Sequence, residues 1–122
     1  MKIVISSSIK NKELIQSVKN QLENLGFTVL FPNLNLEVSE ELIDVSTKRR
    51  LAEEHYRAID TADCVYFLTP NGYMGTSCKL ELGYSIAKKI PIYFSEPTGD
   101  IGLDLYAKDF IQTNKLDAFL HL

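Results

Sequence analysis

Two short apolar runs rich in β-branched residues, separated by one amphipathic stretch, constrain this chain more than any other feature of its sequence. Lys2-Ile3-Val4-Ile5 is followed at once by Ser6-Ser7-Ser8, the pattern of a buried strand that runs into a polar loop. From Asn11 onward Leu14, Ile15, Val18, Leu22 and Leu25 recur at helical spacing among Lys, Gln, Asn and Glu, and Gly26 supplies the stop. Phe27-Thr28-Val29-Leu30-Phe31 reads as a second strand, closed by Pro32-Asn33. A strand, a helix and a strand within about thirty residues make a βαβ unit, whose crossover is right-handed.

The rest of the chain repeats the alternation. After a polar connection over 33–38, Ser39 with Glu40 and Glu41 offers an N-cap and two acids for a second helix that runs to about Thr61. Its apolar face is read through Leu42, Val45, Ala52, Tyr56 and Ile59, with Lys48-Arg49-Arg50 on a solvated face. Cys64 to Leu68 is the third strand. A loop from Thr69 to Gly75 follows, and Thr76-Ser77 offers hydroxyl caps for a third helix reaching about Lys88. Pro91 to Ser95 is the fourth strand. A short helix is expected near Leu103 to Lys108, a last strand near Phe110-Ile111-Gln112, and an apolar tail, Leu116 to Leu122, that packs back on the body.

Near-continuous apolar strands alternating with helices predict an α/β fold, a three-layer sandwich whose parallel sheet is covered on both faces. The expectation is one domain over 1–122, with a five-stranded sheet in the flavodoxin-like or Rossmann-like order 2-1-3-4-5. In that order the winding reverses between the first and third strands, and ligands bind there, outside the carboxyl ends of the strands. The Ser6 to Lys10 loop and the Pro70 to Ser77 loop are the segments that land on that crevice.

Composition narrows the function classes. Hydrophobic residues at 45% and charged residues at 24% are those of a globular chain with a core. Thirteen Lys+Arg against 16 Asp+Glu leave a net charge of −3, so the overall field favours neither a nucleic-acid polymer nor an anionic membrane. Cys64 and Cys78 do not form a disulfide framework and no signal-peptide pattern opens the chain, which predicts a cytoplasmic protein with reduced thiols. No apolar run approaches the roughly 18 residues of a membrane span. G-x-G-x-x-G, the P-loop, H-E-x-x-H and G-x-S-x-G are all absent, and His55 and His121 do not combine with the cysteines into a zinc pattern. No metal and no cofactor are predicted.

What remains is a glycine-bearing loop and a helix whose first turns carry one carboxylate, Glu81. Near the positive end of a helix dipole the ionised form is favoured, and an ionised carboxylate facing a cleft is a potential nucleophile. Taken alone, such a glutamate is more often a solvated partner of the dipole.

The run Asp60-Thr61-Ala62-Asp63-Cys64-Val65-Tyr66-Phe67-Leu68, then Gly72-Tyr73-Met74-Gly75-Thr76-Ser77, then Glu81-Leu82-Gly83-Tyr84 and Pro91-Ile92-Tyr93, resembles the nucleoside 2-deoxyribosyltransferase-like superfamily. The wording is closest to small members related to 2′-deoxynucleoside 5′-monophosphate N-hydrolases. The resemblance implies cleavage of the N-glycosidic bond of a nucleoside or its 5′-monophosphate, with the sugar passed to water or to another base. Glu81 matches the family's catalytic glutamate, and attack by a carboxylate on an oxocarbenium-like centre is retaining-glycosidase chemistry. Ser8-Ile9-Lys10 falls where the monophosphate hydrolases hold their phosphate, and a hydroxyl, a helix N-terminus and a cation suit that group.

The remaining candidates come from their place in the loops. Ser6, Ser7, Gly72 and Gly75 belong to the two crevice loops, Asn71 and Tyr73 are placed to hydrogen-bond and stack on a base, and Thr76 and Ser77 either add anion donors or only cap their helix. The chain departs from the family at two positions. His55 stands where the characterised branches carry an aspartate that assists the leaving base, which makes His55 the candidate acid, and Val4 stands where the hydrolases carry a sugar-lining tyrosine. The resemblance also implies a homo-oligomer, a dimer or larger, that completes its sites across an interface. Two other readings of the same pocket are a non-catalytic nucleotide-derivative sensor and an NAD-type glycohydrolase.

Overall fold

The computed structural model describes residues 1–32 and 44–122. Its sheet has five strands, β1 (Lys2–Ser6), β2 (Thr28–Leu30), β3 (Cys64–Phe67), β4 (Ile92–Phe94) and β5 (Asp109–Phe110). All pairs are parallel and the order is β2-β1-β3-β4-β5, as the sequence pattern predicts. The helices are α1 (Lys12–Asn24), α2 (Val45–Asp60), α3 (Thr76–Ala87) and a single-turn α4 (Ile101–Asp104).

Strand alternation divides the core in two. Ile3 and Ile5 of β1, Tyr66 of β3 and Tyr93 of β4 face α1, where they meet Ile15, Val18 and Leu22 together with Leu116 and Phe119 of the tail. Val4, Val65, Phe67, Ile92 and Phe94 face the other way and meet Ile59 of α2 and Cys78 and Leu82 of α3. Burial on both faces is why the central strands read as unbroken apolar runs. The tail does return to the body: Leu116–His121 forms a 3-10 helix, and the Phe119 ring lies edge-on to Tyr66 at 4.9 Å, Tyr93 at 5.7 Å and Phe27 at 6.4 Å.

The boundaries follow local chemistry that period counting misses. Gly26, at φ 101, ends α1 as expected. The expected cap Ser39, its acids Glu40 and Glu41, and Leu42 lie outside the described residues. α2 itself is capped by Asp44, whose Oδ1 accepts from the Thr47 N–H at 2.7 Å. Val45, expected on the apolar face, is 74% exposed, because α2 packs through its C-terminal half, where His55 and Ile59 are buried. The short helix begins at Ile101 rather than Leu103, since Asp100 caps it through the Gly102 N–H at 2.9 Å. The last strand is correspondingly earlier, at Asp109–Phe110. Among the described residues no helix is long and apolar enough to cross a membrane.

Candidate active site

β1 and β3 pair through Ser6 and Phe67 at their carboxyl ends, which puts the reversal of winding where the strand order predicts it. α3 descends from the loop beyond β3. Its buried residues are Cys78, Glu81, Leu82 and Ser85, the i, i+3, i+4, i+7 stripe of a helix laid on a sheet. Glu81 therefore occupies a core position, 7% exposed, and is not a solvated partner of the helix dipole.

Three of the expected residues meet there. The Ser6 hydroxyl donates to Glu81 Oε1 at 2.7 Å, and His55 Nε2 lies 3.3 Å from the same oxygen. His55 Nε2 is also 2.8 Å from the Ile5 carbonyl oxygen, which can only accept, so the proton sits on Nε2. The edge-on Phe31 ring, with centroids 5.3 Å apart, packs against the imidazole. Glu81 Oε2 has no hydrogen-bond partner among the described residues and is not sealed from solvent. The two oxygens of one carboxylate are thus unlike: Oε1 accepts from Ser6 and has the imidazole edge beside it, and Oε2 is open. Burial raises the Glu81 pKa above its usual range, opposed by the attraction of His55 and the Ser6 hydrogen bond.

The loop after β1 is built by its own side chains. Ser8 caps a 3-10 turn over Ile9–Asn11 by accepting from the Lys10 N–H at 3.3 Å, and Asn11 Nδ2 donates to the Ser7 hydroxyl at 3.1 Å. Lys10 is exposed and forms no ion pair among the described residues. The capping role expected of Thr76 and Ser77 is not observed. The N-cap of α3 is Gly75, with no side-chain capping bond, because the helix starts one residue earlier than those hydroxyls could cap it. Both hydroxyls are without hydrogen bonds among the described residues. Val4 is fully buried in the core and lines no cleft.

The loop after β3 is pinned to the loop after β4. Thr69 donates through its N–H to the Ser95 hydroxyl at 2.8 Å and through its own hydroxyl to the Glu96 carbonyl at 2.7 Å. The Asn71 N–H donates to Glu96 Oε2 at 3.1 Å. Asn71 (φ 58) and Gly72 (φ 78) are both left-handed, and a Cβ at Gly72 would come within 3.1 Å of the Pro97 carbonyl oxygen, so this turn requires glycine. Tyr73 is 55% exposed, with its hydroxyl 3.3 Å from where a Gly75 Cβ would stand.

Sequence reasoning missed four contributors: the Ile5 carbonyl, the Phe31 ring, the Ser95-Glu96 pair and Tyr56. The rule that sites gather at the carboxyl ends of strands points to Ser95 and Glu96, which follow β4 directly. Tyr56, next to His55 on α2, stacks on Tyr84 at 4.8 Å, and its phenol is pushed up by burial and by the Glu81 charge. A backbone carbonyl leaves no sequence signal. Among the described residues no three His, Cys, Asp or Glu side chains gather as a metal cage.

A doubly wound parallel sheet with a buried carboxylate at its switch point defines an α/β class with a polar site between β1, α2 and α3. Solved structures share this fold. A 2-deoxyribosyltransferase from Bacillus psychrosaccharolyticus is 22% identical with a TM-score of 0.70, the match covering 96% of this chain and 90% of that one. The CMP N-glycosidase BcmB of Clostridium botulinum is 16% identical with a TM-score of 0.61, covering 100% of both chains. A conserved protein from Enterococcus faecalis is 12% identical with a TM-score of 0.61, covering 98% of both. No protein-family model matches the chain, and no curated protein does.

Proposed function

We propose that the chain cleaves the N-glycosidic bond of a nucleoside or nucleoside 5′-monophosphate, with Glu81 as the nucleophile. The observation that carries this reading is the asymmetry of the Glu81 carboxylate, with Oε1 held by the Ser6 hydroxyl and faced by His55 at 3.3 Å, and Oε2 open at the switch point. The fold is that of proteins named as a 2-deoxyribosyltransferase and a CMP N-glycosidase, which supports the same class of bond.

In this mechanism Oε2 forms a bond to C1′ as the bond from C1′ to the base nitrogen breaks, the base leaving with the electron pair. The sugar is then held as an ester of Glu81. Water attacks C1′ as the C1′–Oε2 bond breaks and gives up one proton, which neutralises the departed base anion through solvent. Alternatively a second base attacks and loses its N–H proton in the same way to give a new nucleoside. In both cases the carboxylate returns to its starting charge. Burial serves both steps, since a carboxylate with little hydration needs little desolvation before it attacks. Ser8 and Lys10 anchor a 5′-phosphate where one is present, the uncommitted hydroxyls of Thr76 and Ser77 supply further donors, and Asn71 and Tyr73 meet the base. In the same reading the active species is a homo-oligomer in the cytoplasm.

The test is incubation with a panel of deoxynucleosides and their 5′-monophosphates, with free base followed by chromatography. Base release is expected from the parent, and Glu81→Ala is expected to lose about 10³-fold or more in kcat/KM. Release of base from no member of the panel, or release by Glu81→Ala at the parent rate, overturns the reading.

A further inference from the structure

His55 occupies the position from which the sequence resemblance expects a proton to reach the leaving base, yet its surroundings are those of a fixed support. The Ile5 carbonyl belongs to an inner strand of the sheet, and its oxygen accepts the Nε2 proton at 2.8 Å in either charge state of the ring. Phe31 packs edge-on against the imidazole, and the whole residue is only 7% exposed. The proton is directed at that carbonyl, and the same nitrogen stands 3.3 Å from Glu81 Oε1, close enough for charge attraction without a hydrogen bond to the carboxylate.

We propose that His55 is a positioning residue for Glu81: fixed by its Nε2–H on the Ile5 carbonyl, the ring keeps its positive edge 3.3 Å from Oε1 beside the Ser6 hydroxyl, which turns Oε2 to meet the sugar. This rests on the reading of Glu81 as nucleophile. His55 gives up no proton in the reaction. When Oε2 forms its bond to C1′, Oε1 becomes the carbonyl oxygen of the ester and keeps the Ser6 hydroxyl and the positive edge of the imidazole beside it. When the sugar departs, the same two groups face the returning negative charge, so His55 serves both halves of the reaction. Among the other titratable groups on the packed elements, Tyr56 of α2 feels the Glu81 charge, Tyr84 of α3 stacks on Tyr56 and donates to Asp60 of α2, and Cys78 shares the buried stripe of α3; β1 contributes the uncharged Ser6.

The experiment follows the Glu81 side-chain carboxyl carbon by NMR across pH in 13C-labelled parent, His55→Phe and His55→Gln, with the resonance assigned by Glu81→Gln. Imidazole 15N shifts of the parent give the tautomer in the same samples. The expected results are Nε2–H in the parent and a Glu81 titration moved to higher pH in His55→Phe. Gln, which carries an amide N–H to the same region, is expected to restore much of the difference. With a substrate that releases base, the acid limb of kcat/KM moves up in His55→Phe, activity at neutral pH falls about 10- to 100-fold, and the loss shrinks as pH rises. A structural role alone would not give a loss that rising pH repairs. A neutral parent ring protonated on Nδ1, or an identical Glu81 titration in the parent and a folded His55→Phe, overturns the proposal; the tautomer reading holds even where the variant does not fold. Coupled titration in a chain that releases no base from any substrate supports the His55 assignment and removes the glycosidase reading.

Discussion

Glu81 sits on the stripe of α3 that periodicity reserves for apolar side chains, between Cys78 and Leu82. Burial lifts its folded-state pKa above the 4.5 of a free glutamate. The native state therefore holds a proton at pH values where the unfolded chain has lost it, and the resulting stability is fully present below the unfolded pKa and is lost as pH rises through the folded one. Glu81→Gln removes that dependence. The variant is expected to melt at a higher temperature than the parent at neutral pH, with the gap closing towards pH 4; a gap that widens on acidification, in melts at several pH values, contradicts this. Cys64 is the opposite kind of buried group, a thiol pushed up to about 12 by burial and the Asp63 charge, and so it stays protonated and unreactive. Glu81, Ser6 and His55 were each legible as candidates, Ser6 from its place in the loop at the strand end, Glu81 from its place near a helix start and from the resemblance, and His55 from the resemblance. That they share one oxygen was not legible, because Ser6 and Glu81 are 75 residues apart and only the sheet register and the packing of α3 bring them together.

At the scale of elements, the long ones announce themselves and the short ones do not. β1 and β3 are visible as apolar runs, and α1 as a periodic stripe ended by Gly26. α4 and β5, of four and two residues, have no room to show a period, and their positions depend on local hydrogen bonds such as the Asp100 cap and the Ile111 N–H to the Phe94 carbonyl at 2.9 Å. The tail is read from its apolar content alone, and the structure explains why that content matters. Phe119 closes the α1 side of the sheet by touching rings from three separate segments, and the Tyr66 hydroxyl donates to the Ile111 carbonyl just before the tail begins. Phe119→Ala is expected to cost about 3–5 kcal/mol of stability in urea unfolding, the range for emptying an aromatic site in a packed core. A loss within 1 kcal/mol of zero, on the order of a surface substitution, would show that the tail is an appendage.

The whole molecule is organised by one parallel sheet whose two faces carry separate cores; its parallel sense follows from the alternation of runs and helices, and its order is one of the common doubly wound ones. Its edges are minimal: β2 has three residues and β5 only two, which leaves little exposed ladder for another chain to pair with. Between them lies Ser6, the last rung of β1. Its side chain holds Glu81, its backbone pairs with Phe67, and its carbonyl accepts from the Leu68 N–H at 2.9 Å. The partner of the buried Glu81 carboxylate is thus part of an inner ladder of the sheet, the region of a domain that opens last. Loss of the native Glu81 carboxyl resonance is expected to coincide in denaturant with loss of helical ellipticity, and a carboxyl signal that changes well before the ellipticity would show the two to be uncoupled. Under the proposed function, the Ser6–Glu81 pairing is expected to last as long as the β1–β3 ladder that carries it: what wears the site out is the parting of the sheet.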